Sequence, residues 1–95
     1  MIIVEISDGS IKMHGHACRK GTDGIDRVCA AVSALTCNLI NSLEDLTRDS
    51  IQVNTASGET VIEWNKLSDK GKLLVDSWFL GLTDINQEYS CIKFL

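Results

Sequence analysis

Four cysteines and two histidines are the side chains of this sequence best suited to covalent or metal chemistry. The histidines are His14 and His16, and the cysteines are Cys18, Cys29, Cys37 and Cys91. None of the cysteines belongs to a C-x-x-C pair, and the chain opens on strand-like residues rather than a basic leader. We therefore expect free thiols, no secretion and a cytoplasmic protein.

Cys29 has the most reactive predicted position. Asp26 is a suitable N-cap for a helix, because its carboxylate can accept hydrogen bonds from the first-turn amides. Cys29 then becomes the third helical residue, where unpaired amides and the positive end of the helix dipole favour the thiolate that attacks carbonyls. Cys37 lies two turns further on and Cys91 lies in a predicted strand, so neither gains this stabilisation of the thiolate. Cys18 lies in a loop and remains a candidate for the reactive cysteine. An isolated cysteine on an alanine-rich helix is more often buried and inert.

The segment upstream of Cys29 favours a functional role. His14 and His16 lie at the end of a predicted strand, and a glycine-bearing loop over 17–25 follows them. This order can bring an imidazole within reach of a helix N-terminal thiol, which is a nucleophile–base arrangement. Gly15, which lies between the two histidines, permits a backbone geometry or a close approach that other residues would resist. The residues alone do not rank His16 over His14, and an exposed strand histidine is the ordinary alternative.

A metal site is a competing interpretation. His14, His16 and Cys18 alternate along the chain and would share one face of a continuing strand, with Cys29 needed as the fourth ligand. Imidazole and thiolate both bind zinc well, but no second cluster has the usual spacing. The sequence therefore predicts neither a metal nor another cofactor.

Hydrophobic periodicity predicts seven elements in the order ββαββαβ. They are strands over Ile2–Ser7 and Ser10 to about Gly15, a helix from Asp26 to about Asp45, strands over Ser50–Thr55 and Thr60–Asn65, a helix from about Ser68 to Ile85, and a strand over Tyr89–Phe94. A turn over 56–59 joins the two middle strands. The order predicts one α+β domain spanning residues 1–95, with a mainly antiparallel sheet and two helices packed on it.

Composition narrows the partners. The 95 residues carry a net charge of −4 and no basic stripe, so we expect no direct nucleic-acid partner. No apolar run is long enough to cross a bilayer, so we expect no membrane role. Leu73 and Leu80 lie off the apolar stripe of the second predicted helix, and either the last strand or a partner chain covers them.

A known signature runs through the candidate site. It comprises Gly15-His16-Ala17, a glycine-containing spacer, Gly24-x-Asp26-x-Val28, and then Cys29-Ala30-Ala31-Val32-Ser33-Ala34-Leu35. This pattern resembles the bacterial ribosomal-processing cysteine proteases. The resemblance implies a cysteine endopeptidase that removes the N-terminal extension of a large-subunit ribosomal protein, cutting after an aromatic residue. It also implies a homodimer, with Cys29 as nucleophile and His16 as base.

The resemblance places further residues around that pair. Residues expected to support the site or contact substrate are Gly15, Ala17, Asp26 and Ser33. First-turn amides near Cys29 are expected to bind the oxyanion, and Asp26 either orients His16 or caps the helix, the cap being the simpler interpretation. Ser33 either lines the site or bonds back to the carbonyl of Cys29. The loop over 17–25 is implied to order over substrate, although it is about one residue longer than usual and Arg27 replaces an apolar residue.

Two other functions remain open from the sequence. The first is a non-catalytic, ribosome-associated binding or assembly module that keeps the same fold and motif. The second is a thiol-based redox or metal module that uses Cys18, Cys29 and the histidines.

Overall fold

A computed structural model describes residues 1–56 and 58–95. The elements are strands β1 (Ile2–Ser7) and β2 (Ser10–Gly15), helix α1 (Arg27–Leu46), strands β3 (Ile51–Ala56) and β4 (Glu59–Trp64), helix α2 (Asp69–Tyr89) and strand β5 (Ile92–Phe94). This order confirms the predicted ββαββαβ arrangement. The predicted turn over 56–59 includes Ser57, which lies outside the described residues.

The five strands form one sheet in the order β3-β4-β2-β1-β5. Neighbouring strands are antiparallel except β1 and β5, which pair in parallel, so the sheet is mixed but mainly antiparallel as predicted. β2 lies at the centre, and His14 at its end pairs with Glu59 at the start of β4. Ala56 at the end of β3 also pairs with Glu59. The end of β2 and the β3–β4 connection therefore meet at one edge of the sheet.

Both helices cover one face of this sheet. Alternate strand residues point to that face, as expected for a half-buried sheet. The buried cluster joins the strand residues Ile2, Val4, Ile11, Ile62 and Ile92 to the helix residues Val28, Val32, Leu39, Leu43, Trp78 and Leu82. A buried polar link also joins the helices, because the indole N–H of Trp78 donates to Oγ1 of Thr36 at 3.1 Å. Val28 and Val32, which belong to the buried cluster, hold the start of α1 above the sheet.

The end of α2 differs from the prediction. The helix continues to Tyr89, so the strand predicted over Tyr89–Phe94 is wrong in its first three residues. Ser90 ends the helix in the left-handed conformation, with its N–H donating to the carbonyl of Asn86 at 2.8 Å. The side-chain oxygen of Asn86 then accepts from the N–H of Ile92 at 2.7 Å. This local side-chain bond sets the boundary, and strand periodicity does not reveal it.

The outer face of α2 carries exposed leucines. Leu73 is 69% exposed and Leu80 is 63% exposed, so the alternative in which the last strand covers them is wrong. Phe79, 37% exposed, packs its ring against Phe94 at a centroid distance of 5.0 Å. No helix among the described residues has an apolar stretch long enough to cross a membrane.

Candidate active site

Asp26 caps the N-terminus of α1, as predicted. Asp26 has an extended backbone (φ −92°, ψ 97°), and its Oδ1 accepts the N–H of Cys29 at 2.9 Å. Its Oδ2 accepts the N–H of Arg19 at 2.8 Å. These bonds hold the pKa of the Asp26 carboxyl below its usual range, the bond from Cys29 contributing most. One carboxylate thus fixes both the helix start and the preceding loop.

The Cys29 thiol is half-buried and has a direct backbone partner. The N–H of Ala17 donates to Sγ of Cys29 at 3.1 Å. Burial raises the pKa of the Cys29 thiol; the Ala17 bond opposes this rise, and the nearby Asp26 carboxylate adds to it. The helix position alone predicts a favoured thiolate, and this expectation is wrong. The cap is itself an anion, and it works against the helix dipole at this thiol.

Two of the amides at the start of α1 are already occupied. The N–H of Cys29 is bound to the Asp26 side chain, and the N–H of Ala30 donates to the Asp26 carbonyl at 3.1 Å. These two groups are therefore unsuited to the oxyanion role expected from the sequence. The N–H of Ala17, which points at the sulfur from outside the helix, is better placed for that role.

A groove of about 210 Å³ brings the candidate residues together. Its lining includes Ile2, Met13, His14, Gly15, His16, Cys29, Val32, Ser33, Ala56, Gly58, Glu59 and Thr60. Gly15 has φ +97°, and a Cβ there would collide with the carbonyl oxygen of Met1. The chain turns sharply out of β2 at this point, immediately before His16. Only glycine fits the backbone conformation of this turn well.

The two histidines leave the sheet differently. Met13 packs against the core, and strand alternation puts the next side chain, His14, on the sheet face away from the helices. His14 is still within the ladder, opposite Ile3 and Glu59. His16 follows the turn at Gly15 and lies outside the ladder. Both line the groove, but only His16 is free of strand pairing.

The remaining sequence candidates are distributed around this groove. Ser33 lines it one turn after Cys29, and its side chain is exposed. Ala17 is 2% exposed and contributes its amide rather than its methyl group to the site. Cys18 is exposed in the loop, Cys37 is exposed on α1, and Cys91 is buried.

The metal interpretation has no geometric basis in the described part of the chain. Within residues 1–56 and 58–95, no group of three or more His, Cys, Asp or Glu side chains is arranged to hold a metal ion. A larger groove of about 310 Å³ lies at the other end of the sheet, beside Gly9 and Trp64. The residues described along that groove include no cysteine or histidine, so chemistry rather than size identifies the candidate site.

Two contributions to the site were not predicted from the sequence. The β3–β4 hairpin supplies Gly58, Glu59 and Thr60 to the groove from about thirty residues downstream, and the Gly58 carbonyl accepts the N–H of Gly15 at 3.3 Å. The placement of β4 beside β2 was the missing information. Arg19 makes the second contribution. Its guanidinium donates to the carbonyl of Tyr89 at 2.8 Å and connects the loop to the end of α2. No motif marks either feature.

Replacing Asp26 with asparagine is expected to lower the pKa of Cys29. Asparagine caps helices about as well as aspartate, but it removes the negative charge that raises the thiol pKa. Alkylation of Cys29 by iodoacetamide at neutral pH should accelerate about two- to fivefold, with its pH profile shifted to lower pH. Asp23→Asn is the matched control, because Asp23 pairs with Arg27 at 2.6 Å rather than with Cys29. An unshifted profile in Asp26→Asn contradicts this electrostatic account.

Comparisons with known proteins agree with this geometry. The family model "Cysteine protease Prp" matches residues 1–92. A crystal structure of an essential ribosomal processing protease Prp from S. aureus, with a covalently linked product peptide, superposes with a TM-score of 0.88 at 28% identity, covering 99% of this chain and 97% of that one. SMU.848 from Streptococcus mutans superposes with a TM-score of 0.72 at 28% identity, covering 98% and 87%. No match was found among the curated proteins.

A second S. aureus Prp structure, in complex with a substrate peptide, has a TM-score of 0.75 at 22% identity and covers 99% of this chain and 95% of that one. At that identity it supports the fold. Together the fold and the family match define a cysteine protease. The chain belongs to the Prp family, whose members are described as cysteine proteases.

Proposed function

We propose that this protease removes the N-terminal extension of a large-subunit ribosomal protein, with Cys29 as nucleophile and His16 as general base. The observation that carries the proposal is the meeting of both residues in one groove with an amide donor on Sγ. The similar S. aureus protein is a ribosomal processing protease with a covalently linked product peptide.

The raised pKa of Cys29 determines how the reaction begins. The thiol is the dominant form at neutral pH, so attack requires a base at the moment of reaction. His16 removes the proton as Sγ bonds to the scissile carbonyl carbon. The protonated imidazole then gives its proton to the leaving amine, and water hydrolyses the acyl-enzyme with His16 again as base.

The oxyanion is assigned to the amide of Ala17. In the free enzyme this N–H is bound to Sγ. As His16 takes the thiol proton and the sulfur bonds to carbon, negative charge develops on the carbonyl oxygen nearby. The N–H of Ala17 can then donate to this oxygen, and its hydrogen bond is stronger in the transition state than in the ground state. Ser33 lines the substrate groove next to this centre.

The direct test uses the ribosomal protein of the same organism in two forms, with and without its extension. We expect wild-type enzyme to cut the extended form at a single bond after an aromatic residue, as read by intact mass, and to leave the trimmed form unchanged. Cys29→Ala with the same substrate gives the background. An extended ribosomal protein that stays intact, or a native protein that has no extension, overturns the proposed substrate.

We also propose that the protein is a homodimer through the outer face of α2. Leu73 and Leu80 are both more than three-fifths exposed in the single chain. Such exposed leucines on one helix are unfavourable in water, and a second copy of the chain would bury them. Burial of one leucine side chain contributes about 1.5–3 kcal/mol.

Replacing Leu80 with lysine is expected to dissociate the dimer. The lost burial and the new charge should weaken association by at least about tenfold. Sedimentation velocity at micromolar concentration measures the change. Leu46→Lys, on α1 and 66% exposed, is the control and should remain dimeric. A wild-type protein that sediments as a monomer contradicts the proposal.

The proposed substrate also suggests where the enzyme works. Ribosomal proteins join ribosomes in the cytoplasm, so we assign the protease to that compartment. We take residues 1–95 as a single protease domain, a view supported by the family match over residues 1–92.

A further inference from the structure

The loop after β2 brings a second cysteine to the start of α1. Cys18 is exposed, and its backbone has φ +57°, a left-handed conformation that few residues other than glycine adopt. On one side of it, the N–H of Ala17 donates to Sγ of Cys29 at 3.1 Å. On the other side, the N–H of Arg19 donates to the same Asp26 carboxylate that accepts the N–H of Cys29. Both neighbours of Cys18 are thus tied to Cys29.

The other two cysteines lack this relation. Cys37 lies eight residues after Cys29 on the same helix, about 12 Å along its axis. That separation is well beyond the Cα distance of about 4.4–6.8 Å that a disulfide requires. Cys91 is 1% exposed and therefore shielded from reagents in solution. The pairing of Cys18 with Cys29 is the one that the loop geometry favours.

Two further observations agree with this pairing. Burial is the main cause of the raised pKa of Cys29, and the Coulombic effect of Cys18 adds to it, as expected of neighbouring thiols. Residues 18–25 are all exposed, so the movement that brings the two sulfur atoms into bonding contact disturbs no core packing. Departure from the left-handed backbone at Cys18 also relieves local strain.

We propose that Cys18 and Cys29 form a reversible disulfide that inactivates the protease when hydroperoxides are present. The disulfide is inferred from the backbone contacts that hold Ala17 and Arg19, on either side of Cys18, at the start of α1. Its regulatory meaning rests on the proposed function of Cys29 as nucleophile. The oxidant is a hydroperoxide, and the reductant that reverses the reaction is a small thiol.

The chemistry balances in two steps. One thiolate attacks a peroxide oxygen, the O–O bond breaks, and a sulfenic acid and hydroxide form. The second thiolate then attacks the sulfenic sulfur, the S–S bond forms, and another hydroxide leaves. Two thiols are thereby oxidised by two electrons as one hydrogen peroxide is reduced to two waters. A disulfide is reducible by thiols, whereas sulfinic and sulfonic acids are not, so Cys18 protects Cys29 from permanent loss.

Mass spectrometry after peroxide treatment tests the pairing without any need for proteolytic activity. Wild type, Cys18→Ser and Cys37→Ser are oxidised with hydrogen peroxide, alkylated and digested with trypsin. We expect wild type and Cys37→Ser to lose two hydrogen atoms and to yield a linked peptide joining Cys18 to Cys29. Cys18→Ser should instead gain two or three oxygen atoms at Cys29.

Cleavage assays then test the regulation, with each variant compared to its own reduced rate. After dithiothreitol, oxidised wild type should regain most of its activity and oxidised Cys18→Ser little. Absence of the linked peptide, or equal oxygen addition at Cys29 in wild type and Cys18→Ser, overturns the proposal. A linked peptide in a protein whose reduced form cleaves nothing supports the pairing and overturns the proposed proteolysis instead.

Discussion

Cys29→Ala is expected to abolish peptide cleavage while the protein stays folded. The thiol is the only group at this position that forms the covalent intermediate, so activity should fall by about 10⁴-fold or more. The Asp26 cap binds the backbone N–H of residue 29 rather than its side chain, so the helix start survives the change. Alanine is also the best helix former. Cleavage rates and thermal unfolding followed by circular dichroism measure the two outcomes separately.

Cys37→Ala is the matched control for that experiment. Cys37 is also a free cysteine of α1, but it is exposed and lies outside the groove. The variant should cleave at nearly the wild-type rate and unfold at nearly the same temperature. If Cys29→Ala retains activity, or if Cys37→Ala loses as much, the nucleophile has been wrongly assigned.

His16→Ala is expected to slow kcat by about 10²–10⁴-fold, the usual contribution of a positioned general base. The effect is large here because the pKa of Cys29 is raised, and the thiol depends on an external base at neutral pH. His14→Ala is the control, since His14 remains in the β2 ladder and its side chain faces away from the helices.

The pH profile separates loss of a base from loss of structure. In His16→Ala the remaining activity should rise steadily with pH through the range where the Cys29 thiol ionises, because solvent then removes the proton that the imidazole no longer takes. A misfolded variant would show no such recovery. A larger loss in His14→Ala than in His16→Ala would reverse the assignment of the base.

The elements that position the site were predictable because their signals are local. Asp26 has the side chain of a strong cap, and the leucine and valine repeat after it has helical spacing, so the third-residue position of Cys29 was correctly predicted. Strand alternation likewise predicted β1 and β2 with their observed bounds. The resemblance in the segment from Gly15 to Leu35 supplied the family, which the family match over residues 1–92 confirms.

The parts that escaped prediction depend on contacts between distant residues. The Gly58 carbonyl reaches Gly15 only because β4 lies beside β2, and a single sequence does not encode that strand order visibly. The pKa of Cys29 was expected to fall with its helix position, but burial and the Asp26 charge reverse the sign. Predicting the effects of burial and of the Asp26 charge on this pKa requires coordinates, because they depend on how much water and which charges surround the sulfur atom of Cys29.

The most direct test of the account is to trap the nucleophile. A peptide that matches the ribosomal extension and ends in an aromatic residue with a chloromethyl ketone in place of the scissile bond would alkylate the attacking sulfur. We expect a single adduct at Cys29, located by tandem mass spectrometry and formed much more slowly in His16→Ala. An adduct at Cys18 or Cys37, or equal labelling in His16→Ala, would contradict the assignment of Cys29 and His16 as the catalytic pair.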